Sequence, residues 1–154
     1  MTESLTKTQV DPSTLDGYQQ LAAMIDGLLP PAPIAETLGM TGFELLERGS
    51  VAVELVPEPR HYNPLGTVHG GVHTTLLDTA CACSVHSTLG VGEGYTSLDL
   101  AVKFLRPITA DSGRLRAVGT VLQRGRRTAL AEARLYDGSD RLVAHATSTC
   151  MIFS

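Results

Sequence analysis

Between Arg60 and Glu93 the chain carries one formal charge, Asp78, and residues 70–89 contain no proline and only two glycines before Gly90, both at the start. A breaker-free run of that length predicts a long helix, and one with so little polar surface has to be buried almost all round. Thr74, Thr75, Thr79, Ala80, Cys81 and Ala82 are all small. They let strands, or another helix, come close to the backbone. A chain with such a helix at its centre is constrained to wrap its remaining elements around it.

Those elements change texture after Gly94. Residues 95–106, 114–123, 128–136 and 142–152 follow a period of two and read as strands, with turns at 107–113 and 137–140. Upstream, Leu15, Tyr18, Leu21, Ile25 and Leu28 recur at helical spacing over residues 14–28, with Ser13 as the expected N-cap and Pro30, Pro31 and Pro33 as the stop. A short helical turn is expected at 34–38. Residues 43–55 read as two strands hinged at 47–50. The order is that of an α+β fold, an antiparallel sheet around one central helix. One domain is expected over 1–154, with residues 1–32 as an N-terminal extension.

Charged residues make up 18% of the 154 residues, below the ~25% of an average soluble domain. That points to a large buried surface such as a subunit interface. The first residues are polar, and no run approaches the ~18 apolar residues of a membrane span, so a cytoplasmic protein without membrane contact is expected. Three cysteines in no metal or redox spacing read as reduced packing residues. A net charge of -4 argues against a nucleic-acid partner, yet residues 103–127 hold seven cations against the single acid Asp111. A solvated strand face is one reading of that cluster. A site for a phosphorylated small molecule is the other, since guanidinium groups bind phosphate oxygens in pairs.

Two places suggest chemistry. In Asn63-Pro64-Leu65-Gly66-Thr67-Val68-His69-Gly70-Gly71 the glycines open a helix N-terminus whose N–H groups are unspent inside the helix. Such donors, aimed at a developing alkoxide, are worth about 3 kcal/mol. Asp78 is the second, because a buried carboxylate without a partner costs several kcal/mol and a purely structural helix would carry Ala or Leu there. Its reference pKa of about 3.9 would have to rise more than three units before it became mostly neutral at pH 7, which leaves it available as nucleophile or general base. His69 and His73 are four apart, but the zinc-protease pattern needs a glutamate that is absent, so no metal is expected. His69 is expected to fix the turn, and His73 and His86 to be packing or surface histidines.

These parts together resemble the hotdog-fold thioesterases of the PaaI-like, phenylacetate-pathway type, related to one class of 4-hydroxybenzoyl-CoA thioesterases. The resemblance rests on residues 63–78, with H-G-G and an acid nine residues after the histidine, and on Thr96-Ser97-Leu98-Asp99-Leu100 running into Phe104-Leu105-Arg106-Pro107. It spans about residues 35–152. It implies a curved antiparallel sheet around a long helix, and homodimers, often paired into tetramers, with active sites across the subunit boundary. By that resemblance the Gly70 N–H polarises the carbonyl of an acyl-CoA substrate, and Asn63 positions the nucleophile or water. Asp78 of the other subunit attacks or activates water, Ser97 orients it, and Arg106, Arg126 and Arg127 hold the CoA phosphates. The activity implied is hydrolysis of an acyl- or aroyl-CoA to acid and CoA without a cofactor. The rival readings are a non-catalytic acyl-CoA sensor, which has no need of Asp78, and an enoyl-CoA hydratase.

Overall fold

The computed structural model describes residues 10–154; residues 1–9, and with them the expectation about a leader, lie outside the described residues. In chain order the main elements are α1 (Gly17–Ile25), α2 (Pro33–Leu38), β1 (Met40–Glu47), β2 (Ser50–Leu55), α3 (Gly70–His86), β3 (Gly94–Ser97), β4 (Ala101–Phe104), β5 (Leu115–Arg124), β6 (Thr128–Tyr136) and β7 (Leu142–Phe153). The seven strands form one antiparallel sheet in the order β1-β2-β5-β6-β7-β3, and β4 shares β7 with β3. One face of the sheet packs on α3. This is the α+β hotdog arrangement that the sequence implied.

The core is built where the sheet offers small side chains to the helix. Leu76, Leu77, Ala80 and Val85 are buried against Val51, Val53, Ala117, Ala131, Ala133 and Ala146. The approach is closest at Gly119 of β5, where a Cβ would stand 2.1 Å from the Ala80 carbonyl oxygen and 2.6 Å from Ser84 Oγ. Only glycine permits that seat.

The burial of α3 is one-sided within the chain, a correction to the expectation that it is covered all round. Gly71, Thr75, Asp78, Thr79 and Ala82 form a stripe at helical spacing that the described residues leave partly open. Cys81 lies 60° from Asp78 by helical geometry, but it turns into the core.

Element boundaries also differ from expectation, and for two of them the hydrogen bonds give the reason. Helix α1 starts under Asp16 rather than Ser13, because Asp16 and Gln19 cap each other: Gln19 N–H donates to Asp16 Oδ1 at 2.8 Å and Asp16 N–H to Gln19 Oε1 at 3.0 Å. Ser13 sits instead in a 3-10 turn capped by Asp11. Residues 95–106 are two strands rather than one, because the Asp99 side chain takes the Thr149 N–H at 2.7 Å and interrupts the ladder against β7. Helix α1 then closes the far end of α3, with Gly17 N–H donating to Leu89 O at 2.9 Å and Gln20 Oε1 2.8 Å from His86 Nε2.

Candidate functional site

The loop before α3 is held by its own first residue. Asn63 Oδ1 accepts from Leu65 N–H (2.9 Å) and Thr67 N–H (3.2 Å), while its Nδ2 donates to Thr67 Oγ1 (2.9 Å). Tyr62 pairs with Val68 across the loop's base, and the Tyr62 hydroxyl accepts from Ala110 N–H at 2.7 Å. Asn63 is therefore first a loop staple, with one amide N–H left to offer. His61 is buried beneath, its Nδ1 accepting from Glu58 N–H and its Nε2 facing Leu38 O at 2.8 Å.

Helix α3 begins under His69, whose Nδ1 accepts from Gly71 N–H at 2.8 Å and whose carbonyl accepts from Val72 N–H at 2.9 Å. Those bonds consume two of the N–H groups of the first turn. The Gly70 N–H has no hydrogen-bond partner among the described residues. Gly70 borders a cavity of about 300 Å³ whose walls include Asn63, Val68, His73, Phe104 and Arg106. The His69 ring lies on a different cleft, beside Arg60, Tyr62 and Thr75, so its part at this end of the helix is to set the helix start.

Asp78 lies two turns further on, about 12 Å along the axis at 1.5 Å per residue. The neighbouring hydroxyls on its face are spent on their own helix: Thr74 Oγ1 donates to Gly70 O, Thr75 to Gly71 O and Thr79 to Thr75 O, all at 2.7–2.8 Å. Asp78 itself makes no hydrogen bond or ion pair among the described residues. Burial raises its pKa above the ordinary carboxylate value. Burial also pushes the Cys81 and Cys83 thiols up to about 12, with the Asp78 charge adding to it, and raises Cys150 and Tyr95 in the same direction. No thiolate nucleophile is available around this carboxylate at neutral pH. Ser97, on β3, has its Oγ 3.9 Å from the buried Cys150 Sγ and is exposed within one chain.

The cations divide. Arg114 and Arg116 both bind Glu54 (2.9 and 2.7 Å), Arg116 also reaches Glu44, and Arg124 binds Glu93 at 2.7 Å. The hydrogen bonds from Arg114 and Arg116 hold the Glu54 carboxyl below its usual range. Lys103, Arg106, Arg126 and Arg127 make no ion pair among the described residues. Arg106 lines the Gly70 cavity, whereas Arg126 and Arg127 occupy the β5–β6 turn and line a separate cleft of about 840 Å³ with Phe153 and Ser154.

The sequence profile of the thioesterase superfamily matches residues 65–144, more than half of the chain. The chain belongs to the thioesterase superfamily. It is thereby a thioester hydrolase, and the resemblance read from residues 63–78 and 96–107 is borne out. A protein of Saccharolobus solfataricus provisionally named an esterase is 27% identical over 129 residues, covering 84% of this chain and 83% of its own. A solved structure from Ralstonia eutropha JMP134, described provisionally as a thioesterase related to phenylacetic acid degradation, is 34% identical with a TM-score of 0.77. That match covers 85% of this chain and 98% of the other. The E. coli PaaI protein from the phenylacetic acid degradation operon shares the fold at TM-score 0.77 and 22% identity, covering 90% and 94%.

Within this thioesterase the structure gathers Asn63, Gly70 and Arg106 at one end of α3 and places Asp78 at the middle of the helix, while Ser97 lies on β3 near Cys150. It does not bring Arg106 together with Arg126 and Arg127. Leu77 is fully buried in the core, and Leu65 is 89% exposed at the loop tip. Among the cavity residues to which the sequence assigned no chemistry are His73 and Phe104. The signal for His73 was present: at 100° per residue it falls within about 40° of Leu77 and Ala80, on the core side of the helix.

Proposed function

We propose that this thioesterase hydrolyses an acyl-CoA or aroyl-CoA at a site completed by two copies of the chain. The observation that carries the reading is the pair of unspent groups on one helix. A Gly70 N–H without a partner opens on a cavity, and a partnerless carboxylate, Asp78, lies about 12 Å away on an open stripe. That separation is too long for both to act on one carbonyl carbon. A second copy packed on the stripe supplies its own Asp78 to the first copy's Gly70, and a two-fold axis makes two such sites.

In that site the Gly70 N–H, strengthened by the helix dipole, donates to the thioester carbonyl oxygen. Asp78 of the other copy, poorly solvated and acting as its carboxylate, attacks the carbonyl carbon or takes a proton from the attacking water. The remaining Asn63 amide N–H and the Ser97 hydroxyl orient that water or carboxylate. Thiolate leaves readily, so one polarised carbonyl and one carboxylate suffice without a metal. Arg106 binds phosphate at the cavity, and the β5–β6 turn of a neighbouring copy brings Arg126 and Arg127 to the remaining CoA phosphates.

The test is thiol release from aryl-, short-, medium- and long-chain acyl-CoAs by wild type and Asp78→Asn. Wild-type turnover with a loss of at least ~10²-fold in kcat, and CoA-ester binding retained, is the expected result. Tight binding without thiol release by wild type makes the chain an acyl-CoA sensor and overturns the reading.

A further inference from the structure

His73 follows Gly70 by one turn of α3. The residue is 3% exposed, and neither ring nitrogen has a hydrogen-bond partner among the described residues. Burial, helped by the neighbouring His69, lowers its pKa, and the Val68 carbonyl, near but outside hydrogen-bond geometry, only partly opposes this. The ring is therefore neutral at pH 7, with one N–H and one lone pair both unused. Leaving such groups buried and unpaired destabilises the fold, a cost that Leu or Met at the same core position would avoid.

The ring forms one wall of the cavity that Gly70 opens on. Phe104 stands edge-on to it, ring centroids 5.4 Å apart, and its tip lies 3.1 Å from where a Cβ on Gly70 would be. Phe104 is 56% exposed on the edge strand β4, so rotation about its side-chain bonds uncovers the imidazole without disturbing the core.

We infer that His73 selects the acyl group, and that the substrates of this enzyme carry a hydroxyl close to the thioester carbonyl which the imidazole hydrogen-bonds. A hydroxyl both donates and accepts, so it satisfies whichever ring nitrogen faces the cavity. Residues three apart on a helix have Cβ atoms about 5–6 Å apart. Gly70 and His73 line the same cavity, so an oxygen held by His73 lies near a carbonyl held at the Gly70 N–H rather than at the far end of the acyl chain. This assignment rests on the Gly70 site proposed above. A pantetheine amide offers the same donor and acceptor, and the experiment separates the two sources.

Thiol release is measured for a 3-hydroxyacyl-CoA and the unsubstituted acyl-CoA of equal length, with wild type, His73→Leu and His73→Gln. Wild type is expected to prefer the hydroxylated ester at least ~10-fold in kcat/KM; His73→Leu removes the preference by slowing that ester alone, and His73→Gln keeps part of it. A wild-type ratio near one overturns the assignment. Equal slowing of both esters by His73→Leu does the same, since it points to the pantetheine arm or to the fold. Should His73→Leu fail to fold, the wild-type ratio and His73→Gln decide. Calorimetry with the non-hydrolysable thioethers of the same acyl pair runs alongside. If no ester is cleaved, the hydrolysis reading falls and the binding ratio decides on His73: tighter binding of the hydroxylated thioether by about 10-fold supports it, and equal binding overturns it.

Discussion

Asp78 is the residue at which function works against stability. Burial raises its folded-state pKa above the unfolded value of about 3.9. The charged form is thus worse off in the folded chain, and the resulting penalty is full above the folded pKa and gone below the unfolded one. Asp78→Asn removes the penalty. Its melting temperature is expected to exceed that of wild type at pH 7–8, with the difference shrinking as pH falls and vanishing only below the unfolded pKa of about 3.9; a lower melting temperature at neutral pH would show a stabilising partner for the carboxylate. Asp78 could be singled out in the sequence because a lone charge in 32 residues is visible without any structure. The fate of the arginines was not. Whether Arg114 and Arg116 are free depends on Glu54 facing them across β2 and β5, and register between distant strands is not written in either segment alone.

At the scale of elements, the seat of α3 on the sheet depends on one missing side chain. A Cβ at Gly119 meets the Ala80 carbonyl at 2.1 Å, and a helix carbonyl in a packed core cannot give way as a flexible side chain would. Gly119→Ala is expected to lower stability by about 2–4 kcal/mol, read as a fall in the urea midpoint, with a smaller loss for Gly90→Ala, where only the Glu93 side chain approaches. Equal effects at the two glycines would mean that α3 is not held this tightly. The period-two segments and the long apolar run made the strands and α3 legible, because side-chain alternation and helical spacing are local properties. The errors fell where a side chain replaces backbone in a ladder or a cap. Asp99 breaks the run 95–106, and Asp16 with Gln19 outcompetes Ser13 by forming two reciprocal bonds where Ser13 forms none to α1.

For the whole molecule, the open stripe on α3 and the exposed apolar fringe of Leu98, Phe104 and Leu105 along β3 and β4 lie on surfaces that a second copy would cover. If the active site is shared as proposed, defects in its two halves must complement in mixed dimers. Asp78→Asn retains a sound Gly70, and Gly70→Val retains a sound Asp78 while its side chain meets Phe104 and screens the N–H. Each homodimer is then inactive at both sites. A heterodimer pairs the sound Gly70 of one chain with the sound Asp78 of the other at one site and both defects at its second. Random reassociation of equal amounts makes half the dimers mixed, each with one working site of two, so activity should return to about a quarter of wild type. The measurement is thiol release before and after reassociation through mild denaturant, with wild type carried through the same cycle as the reference. Activity that stays at the sum of the two variants would place Gly70 and Asp78 of a single chain in one site. The 12 Å of helix between them argues against that, and this mixing experiment tests the separation directly.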